Sequence, residues 1–112
     1  RPVNGAQLLK SSLRPEDTVF PVLDFTPAQG ISNLVVYRGR AFRGWRGSLL
    51  VGTLRATDLL RVEVDRDGAV RTEVLLRDIA RVRDVAEGPR GEVYVLLENA
   101  AGSQLVRLVP AR

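Results

Sequence analysis

The sequence predicts an all-β chain built from antiparallel blades of a β-propeller, and two observations carry that prediction. Short apolar, β-branched segments recur along the 112 residues and are separated by turns that contain glycine. Segment 47–62 also resembles segment 91–108. The string Gly-Ser-Leu-Leu-Val-Gly-Thr-Leu corresponds to Gly-Glu-Val-Tyr-Val-Leu-Leu, and the later Leu-Leu-Arg-Val corresponds to Leu-Val-Arg-Leu. The repeat is roughly 45 residues long, which is the length of one propeller blade.

The length of the chain limits how much of a propeller it can hold. A complete propeller needs about 4 to 8 blades, and this sequence contains about two repeats. We therefore expect residues 19–112 to be blades of a larger domain, preceded by an irregular arm or linker at 1–18, where Pro15 stops any helix. A small free-standing β-sandwich is the structural alternative.

The individual strands follow from short apolar runs and the turns between them. Residues 19–25 are extended, but Pro21 restricts them to an edge strand or a connection. Gly52 indicates a close approach of another chain segment, and Asp67-Gly68 predicts a hairpin turn. Further strands are predicted at 31–37, 48–54, 58–64, 69–76, from Arg81 onward, 92–97 and 103–109.

The composition excludes several classes of function. Histidine, cysteine and methionine are absent, so the chain itself can hold no histidine-based catalysis, disulfide or thiolate metal site. The net charge is +4, but the arginines are scattered, often beside Asp or Glu, and no set of aromatic residues accompanies them. This pattern predicts no nucleic-acid partner. No apolar run is long enough to predict a membrane span.

The loop 38–47 and the strand that begins at Arg81 are the most distinctive local features. Phe42 and Trp45 are expected to form a small separate cluster under that loop. Arg81 and Arg83 should project from one strand face, with residues 82 and 84 on the opposite face. Two guanidinium groups on one face need an anion beside them. That anion is either a carboxylate of the chain, such as Asp84 or Asp78, or a bound ligand.

Three segments, 42–54, 81–85 and 88–96, together carry a family likeness. In this order and spacing they resemble the C-terminal end of the soluble pyrroloquinoline quinone (PQQ)-dependent sugar dehydrogenases, the glucose/sorbosone dehydrogenase family. The likeness runs from about Pro21 to Pro110. It implies a six-bladed propeller that carries PQQ and calcium on its top face and oxidises an aldose sugar at C1 by hydride transfer to PQQ.

The resemblance also implies partners and a location. Residues 19–112 would be the C-terminal blades, and the N-terminal blades of the same protein would supply the catalytic histidine and the calcium ligands. The reduced cofactor would pass its electrons to an external acceptor, in the periplasm or outside the cell. On this interpretation the chain holds cofactor contacts but no catalytic residue and no metal ligand.

The resemblance assigns cofactor binding to Arg81, Arg83 and Arg55. The family has a lysine at the position of Arg55, so the charge is kept while the reach and geometry change. Arginine suits PQQ because its planar fork donates two hydrogen bonds to a carboxylate, and PQQ has three carboxylates. Cations near the quinone favour the negative charge that develops on reduction. The functional alternative is a non-catalytic propeller module that binds a sugar, a polymer or a protein partner on the same face.

Overall fold

A computed structural model describes residues 22–25 and 28–111 of the chain. In this part the chain forms seven β-strands and no helix, and each strand predicted from residue 31 onward is present with its ends shifted by at most two residues. Of the segment 19–25, predicted as an edge strand or a connection, the described residues 22–25 form no strand. The predicted arm at 1–18 lies outside the described residues. The strands are β1 (Ile31–Val36), β2 (Leu49–Thr53), β3 (Leu59–Val64), β4 (Val70–Leu76), β5 (Arg81–Glu87), β6 (Val93–Asn99) and β7 (Gly102–Leu108).

The strands form two antiparallel sheets in which every strand pairs with its neighbour in the sequence. The first sheet has the order β1-β2-β3-β4 and the second has the order β5-β6-β7. Short turns suffice for such pairing. The predicted hairpin lies at 65–68, where Gly68 has a φ of 89° and donates its N–H to the carbonyl of Asp65 at 3.0 Å. Each sheet therefore corresponds to one of the two sequence repeats.

The main core lies between the two sheets, where β5 packs against β1 and β2. Leu50 and Leu59 of the first sheet meet Val82, Val93 and Val95 of the second, and all five are 0–1 % exposed. The alternation of buried and exposed residues along β6 explains this, because every second side chain of a strand points to one face. The sheets pack face to face, as neighbouring blades do.

The predicted close approach at Gly52 is part of this interface. A Cβ atom on Gly52 would lie 2.5 Å from Cγ1 of Val82, a side chain that is fully buried. Only glycine leaves room for Val82 at this distance. The close packing of β5 on β2 thus depends on one residue without a side chain.

The aromatic residues of loop 38–47 belong to the main core and do not form the separate cluster that the sequence predicted. The rings of Phe42 and Trp45 stack at 4.0 Å with an angle of 8° between their planes, and both lie edge-on to Tyr37. Tyr37 is fully buried at the end of β1 and connects the stacked pair to the core. Its hydroxyl donates a hydrogen bond to the Gly91 carbonyl and accepts one from Phe42 N at 3.2 Å.

Candidate cofactor-binding site

The antiparallel register sorts the loops into two ends. The upper end consists of loops 54–58 and 77–80 and of Arg81, because residue 59 pairs with residue 76 where β3 begins and β4 ends. The lower end consists of loop 38–47, the hairpin turn 65–68 and turn 88–91, whereas turn 99–102 lies at the upper end. The three arginines predicted to bind the cofactor, Arg55, Arg81 and Arg83, therefore lie at the upper end.

The two loops of the upper end are bonded to each other and contain unusual backbone conformations. Thr57 and Asp78 each have a φ of 58°, which non-glycine residues rarely adopt. Ile79 N–H donates to the Thr57 carbonyl at 3.1 Å, and Asp78 N–H donates to Asp58 Oδ1 at 2.8 Å. Conformations of this kind cost about 1–3 kcal/mol each and concentrate at functional sites. Loop 54–58, which contains Arg55, and loop 77–80, which precedes Arg81, are thus held together by hydrogen bonds.

Arg81 and Arg83 share one face of β5, as their spacing of two residues predicted, and a β-bulge follows Val82. Arg81 lies directly opposite Glu98 of β6, and the register then shifts between Val82 and Asp84. The bulge inserts one extra residue, so Arg83 stays beside the same carboxylate. Arg83 Nε lies 3.3 Å from Glu98 Oε1, and both side chains are about half exposed. The carboxylate beside Arg83 on this face is therefore Glu98, and neither of the two that the sequence suggested as examples, Asp84 and Asp78.

The bulge also corrects the predicted position of Asp84. It does not share a face with Val82, because the register places Asp84 opposite exposed Leu96 and puts Val85, with Val82, in the core. The carboxylate of Asp84 accepts hydrogen bonds from Asn33 Nδ2 and from Val85 N, the latter at 2.9 Å. Asp84 thus acts as a structural link between β5 and β1.

Arg55 lies at the same end but on the first sheet. It follows β2, is exposed, and donates its backbone N–H to the Gln29 carbonyl at 3.0 Å. With Ala28, Gln29, Ala56 and Asp58 it lines a shallow depression of about 360 Å³. The upper end therefore presents the exposed guanidinium groups of Arg55, Arg81 and Arg83, together with that of Arg77 in the adjoining loop. Guanidinium groups of this kind are able to bind carboxylates.

Sequence reasoning missed Glu98 and the two strained loop residues. Counting the strand pairing outward from turn 88–91 would have placed Glu98 near Arg81 and Arg83, although the bulge in β5 shifts the register by one residue. The positive φ of Thr57 has no such signal, because a β-branched residue usually avoids this region. Asp adopts it more often than most residues, but nothing in the sequence singles out Asp78 among the thirteen acidic residues.

Two further observations concern metals and membranes. The described residues contain no group of three or more Asp, Glu, His or Cys side chains that could hold a metal ion. In the same part of the chain no helix is long and apolar enough to cross a membrane.

Comparison with known proteins identifies the family. A family model described as Glucose / Sorbosone dehydrogenase matches residues 4–107. The chain belongs to the glucose/sorbosone dehydrogenase family. It is 36 % identical over 92 residues to an uncharacterized protein of Synechocystis, covering 82 % of this chain and 22 % of that protein. It is 30 % identical over 91 residues to the aldose sugar dehydrogenase YliI of Escherichia coli, covering 80 % of this chain and 24 % of the relative.

Solved structures of the family agree with the fold. A glucose dehydrogenase superimposes with a TM-score of 0.74 at 31 % identity, over 83 % of this chain and 29 % of its own length. The soluble aldose sugar dehydrogenase of Escherichia coli, in its apo form, gives 0.65 at 26 % identity, over 81 % of this chain and 26 % of its own. The predicted family and the predicted propeller fold are confirmed. The chain spans 22–29 % of the length of these relatives.

Proposed function

We propose that this chain forms part of the cofactor site of a PQQ- and calcium-dependent aldose dehydrogenase, with Arg81 as its principal contact to PQQ. The observation that carries the proposal is the pair Arg81 and Arg83, exposed on one face of β5 beside the hydrogen-bonded loops of the upper end. Membership of a family that contains an aldose sugar dehydrogenase supports oxidation of a sugar.

The three arginines fit the cofactor to different degrees. Arg81 is exposed and has no carboxylate within 4.0 Å among the described residues, so its guanidinium is available to a ligand. Arg83 already contacts Glu98 at 3.3 Å and would have to share its donors with that side chain. Arg55 is exposed beside a depression and adds positive charge from the first sheet. Arg81 is therefore the best candidate for a bidentate bond to a PQQ carboxylate.

The chemistry divides between this chain and the rest of the proposed enzyme. When bound, PQQ accepts a hydride from C1 of the aldose. Arg81 and Arg55 would hold the cofactor in place and favour negative charge on it. Because the chain has no histidine, a histidine general base would come from other blades of the same protein. The family resemblance places the calcium ligands on those blades too. Residues 19–112 would then be its C-terminal blades, in a periplasmic or secreted enzyme that uses an external electron acceptor.

A PQQ titration in the presence of calcium tests this proposal on the intact protein. The wild type should bind saturably, and Arg81→Ala should weaken binding by about 1.5–3 kcal/mol, the usual contribution of a hydrogen bond to a charged group. Arg77→Ala is the matched control, because Arg77 is an exposed arginine in the adjoining loop that the proposal does not assign to the cofactor. The affinity of the Arg77→Ala variant for PQQ should equal that of the wild type.

A companion variant tests the role of Glu98. Glu98→Gln removes the carboxylate that engages Arg83, so PQQ should bind more tightly if Arg83 also contacts the cofactor. Failure of the wild type to bind PQQ would exclude the dehydrogenase and leave the non-catalytic propeller module. Equal losses in Arg81→Ala and Arg77→Ala would show that only the overall charge matters.

A further inference from the structure

The lower end of the molecule carries an arginine cluster that the proposed cofactor site does not use. Its five members are all exposed, four of them in loop 38–47 and one in turn 88–91. Among the described residues, none of the five lies within 4.0 Å of a carboxylate oxygen. The members of this lower arginine cluster are Arg38, Arg40, Arg43, Arg46 and Arg90.

The fold brings these residues together although they are distant in sequence. The Tyr37 hydroxyl bonds to the Gly91 carbonyl and thereby fixes loop 38–47 against turn 88–91. The two segments touch so closely that a Cβ atom on Gly39 would lie 2.7 Å from Gly91 Cα. Arg38 and Arg40 flank Gly39, and Arg90 precedes Gly91. Arginines from both sheets therefore form one continuous surface.

The two carboxylates beside the cluster, Glu87 and Glu92, are bonded to backbone groups. Glu87 Oε1 accepts a hydrogen bond from Arg38 N at 2.7 Å. Glu92, which is buried, accepts one from Arg90 N at 2.8 Å through its Oε1. The guanidinium groups of Arg38 and Arg90 therefore do not pair with Glu87 or Glu92. Between them, loop 38–47 and segment 87–92 hold five arginines and two carboxylates, which makes this surface positive.

We propose that the lower arginine cluster docks the protein on an anionic phospholipid surface. Guanidinium groups bind phosphate through paired hydrogen bonds, and basic residues near an anionic bilayer each strengthen binding. The depression lined by Arg40, Arg43 and Arg46, about 450 Å³ in volume, is shallow and opens at the end of the molecule. Docking there would leave the upper end facing away from the membrane.

The aromatic residues of the same loop argue against single-stranded nucleic acid as the partner. Proteins that bind single strands offer aromatic ring faces to the bases. Here Phe42 and Trp45 cover one face of each other at 4.0 Å, and both pack against the core. Positive charge without free ring faces matches a phosphate-bearing surface better than a row of bases.

Co-sedimentation of the intact protein with vesicles tests the proposal. The wild type should bind vesicles of equal parts phosphatidylglycerol and phosphatidylcholine and should not bind phosphatidylcholine alone. Each basic residue near an anionic surface contributes about fivefold to binding, so Arg40→Gln with Arg43→Gln should weaken it about 30-fold. Raising the salt from about 0.1 M to 1 M shortens the screening length from about 10 to 3 Å and should abolish binding.

The matched control removes the same charge elsewhere. Arg55→Gln with Arg77→Gln also deletes two exposed arginines, which lie at the upper end and likewise have no carboxylate oxygen within 4.0 Å among the described residues. This double variant should bind vesicles like the wild type. An equal loss in both double variants would overturn the proposal, because overall charge would explain it. It would also be overturned by no binding to anionic vesicles, or by tighter binding to duplex DNA than to vesicles. Unchanged thermal melting of both variants would exclude misfolding.

Discussion

Adding a single methyl group at Gly52 tests whether the two sheets pack as closely as the structure shows. An ideal Cβ atom there would lie 2.5 Å from Val82 Cγ1, 3.1 Å from Val82 Cβ and 3.2 Å from Ser32 Oγ. The first distance is shorter than real Cβ contacts. Val82 is fully buried, so it cannot turn away without disturbing the packing of β5 against the first sheet.

The sign of the effect on stability makes the Gly52→Ala experiment decisive. Alanine normally stabilises the interior of a strand by about 0.5–1 kcal/mol relative to glycine. Forcing an extra carbon into a packed core costs about 1–3 kcal/mol. We therefore expect Gly52→Ala to lower the free energy of unfolding by about 1–2 kcal/mol. A loosely packed interface would instead give a small gain.

Urea denaturation of four proteins measures this quantity: the wild type, Gly52→Ala, Val82→Ala and the double variant. Val82→Ala alone should cost about 2 kcal/mol, from two lost methyl groups and the cavity they leave. In the double variant the new methyl group occupies space that Val82 vacates. Its loss should therefore be smaller than the sum of the single losses by about 1 kcal/mol or more. Strict additivity, or a more stable Gly52→Ala, would refute the close packing.

The remaining predictions concern one buried hydroxyl and one buried carboxylate. Tyr37→Phe should lower the free energy of unfolding in urea by about 1–3 kcal/mol, because it leaves the buried Gly91 carbonyl unpaired; an unchanged value would contradict this. In folded Glu92 the backbone N–H of Arg90, the largest cause, lowers the side-chain pKa from 4.5. The resulting stability is present above the ordinary glutamate pKa and is lost as the pH falls through the folded one. Glu92→Gln should therefore show a flatter fall in stability below about pH 4.5; parallel curves would rule this out.

Most of the strand pattern could be read from the sequence, because burial on one face imposes a period of two. In β6 the alternation of Val93, Val95 and Leu97 with more exposed residues is visible in the sequence and reappears in the structure. The exception is β5, where the buried residues are Val82 and Val85, three positions apart. A bulge between Val82 and Asp84 causes this shift. The position of the bulge depends on the pairing of β5 with β6, which the residues of β5 alone do not reveal.

The candidate site shows the same division between local and long-range information. The motif around Arg81 and the family likeness located the two arginines of β5, and their shared face was predicted from spacing alone. The partner of Arg83 was not predicted, because Glu98 is separated from it by the turn before β6 and is brought near only by strand pairing. Nearby carboxylates in the sequence, such as Asp84, were more obvious candidates and proved to serve the backbone and Asn33.

The positive charge of the chain illustrates why position along the sequence is a poor guide to surface charge. The arginines look scattered, and many have an acidic neighbour in the sequence. In the fold, antiparallel pairing satisfies those in the middle of strands, as when Arg61 meets Glu73 at 2.8 Å and Arg71 meets Glu63 at 2.7 Å. The arginines of loop 38–47 have no opposing strand to supply a carboxylate, and the Tyr37 contact adds Arg90 to them. Pairing within the sheets thus removes charge from the middle of the molecule and concentrates what is left at its ends, where ligands and surfaces can reach it.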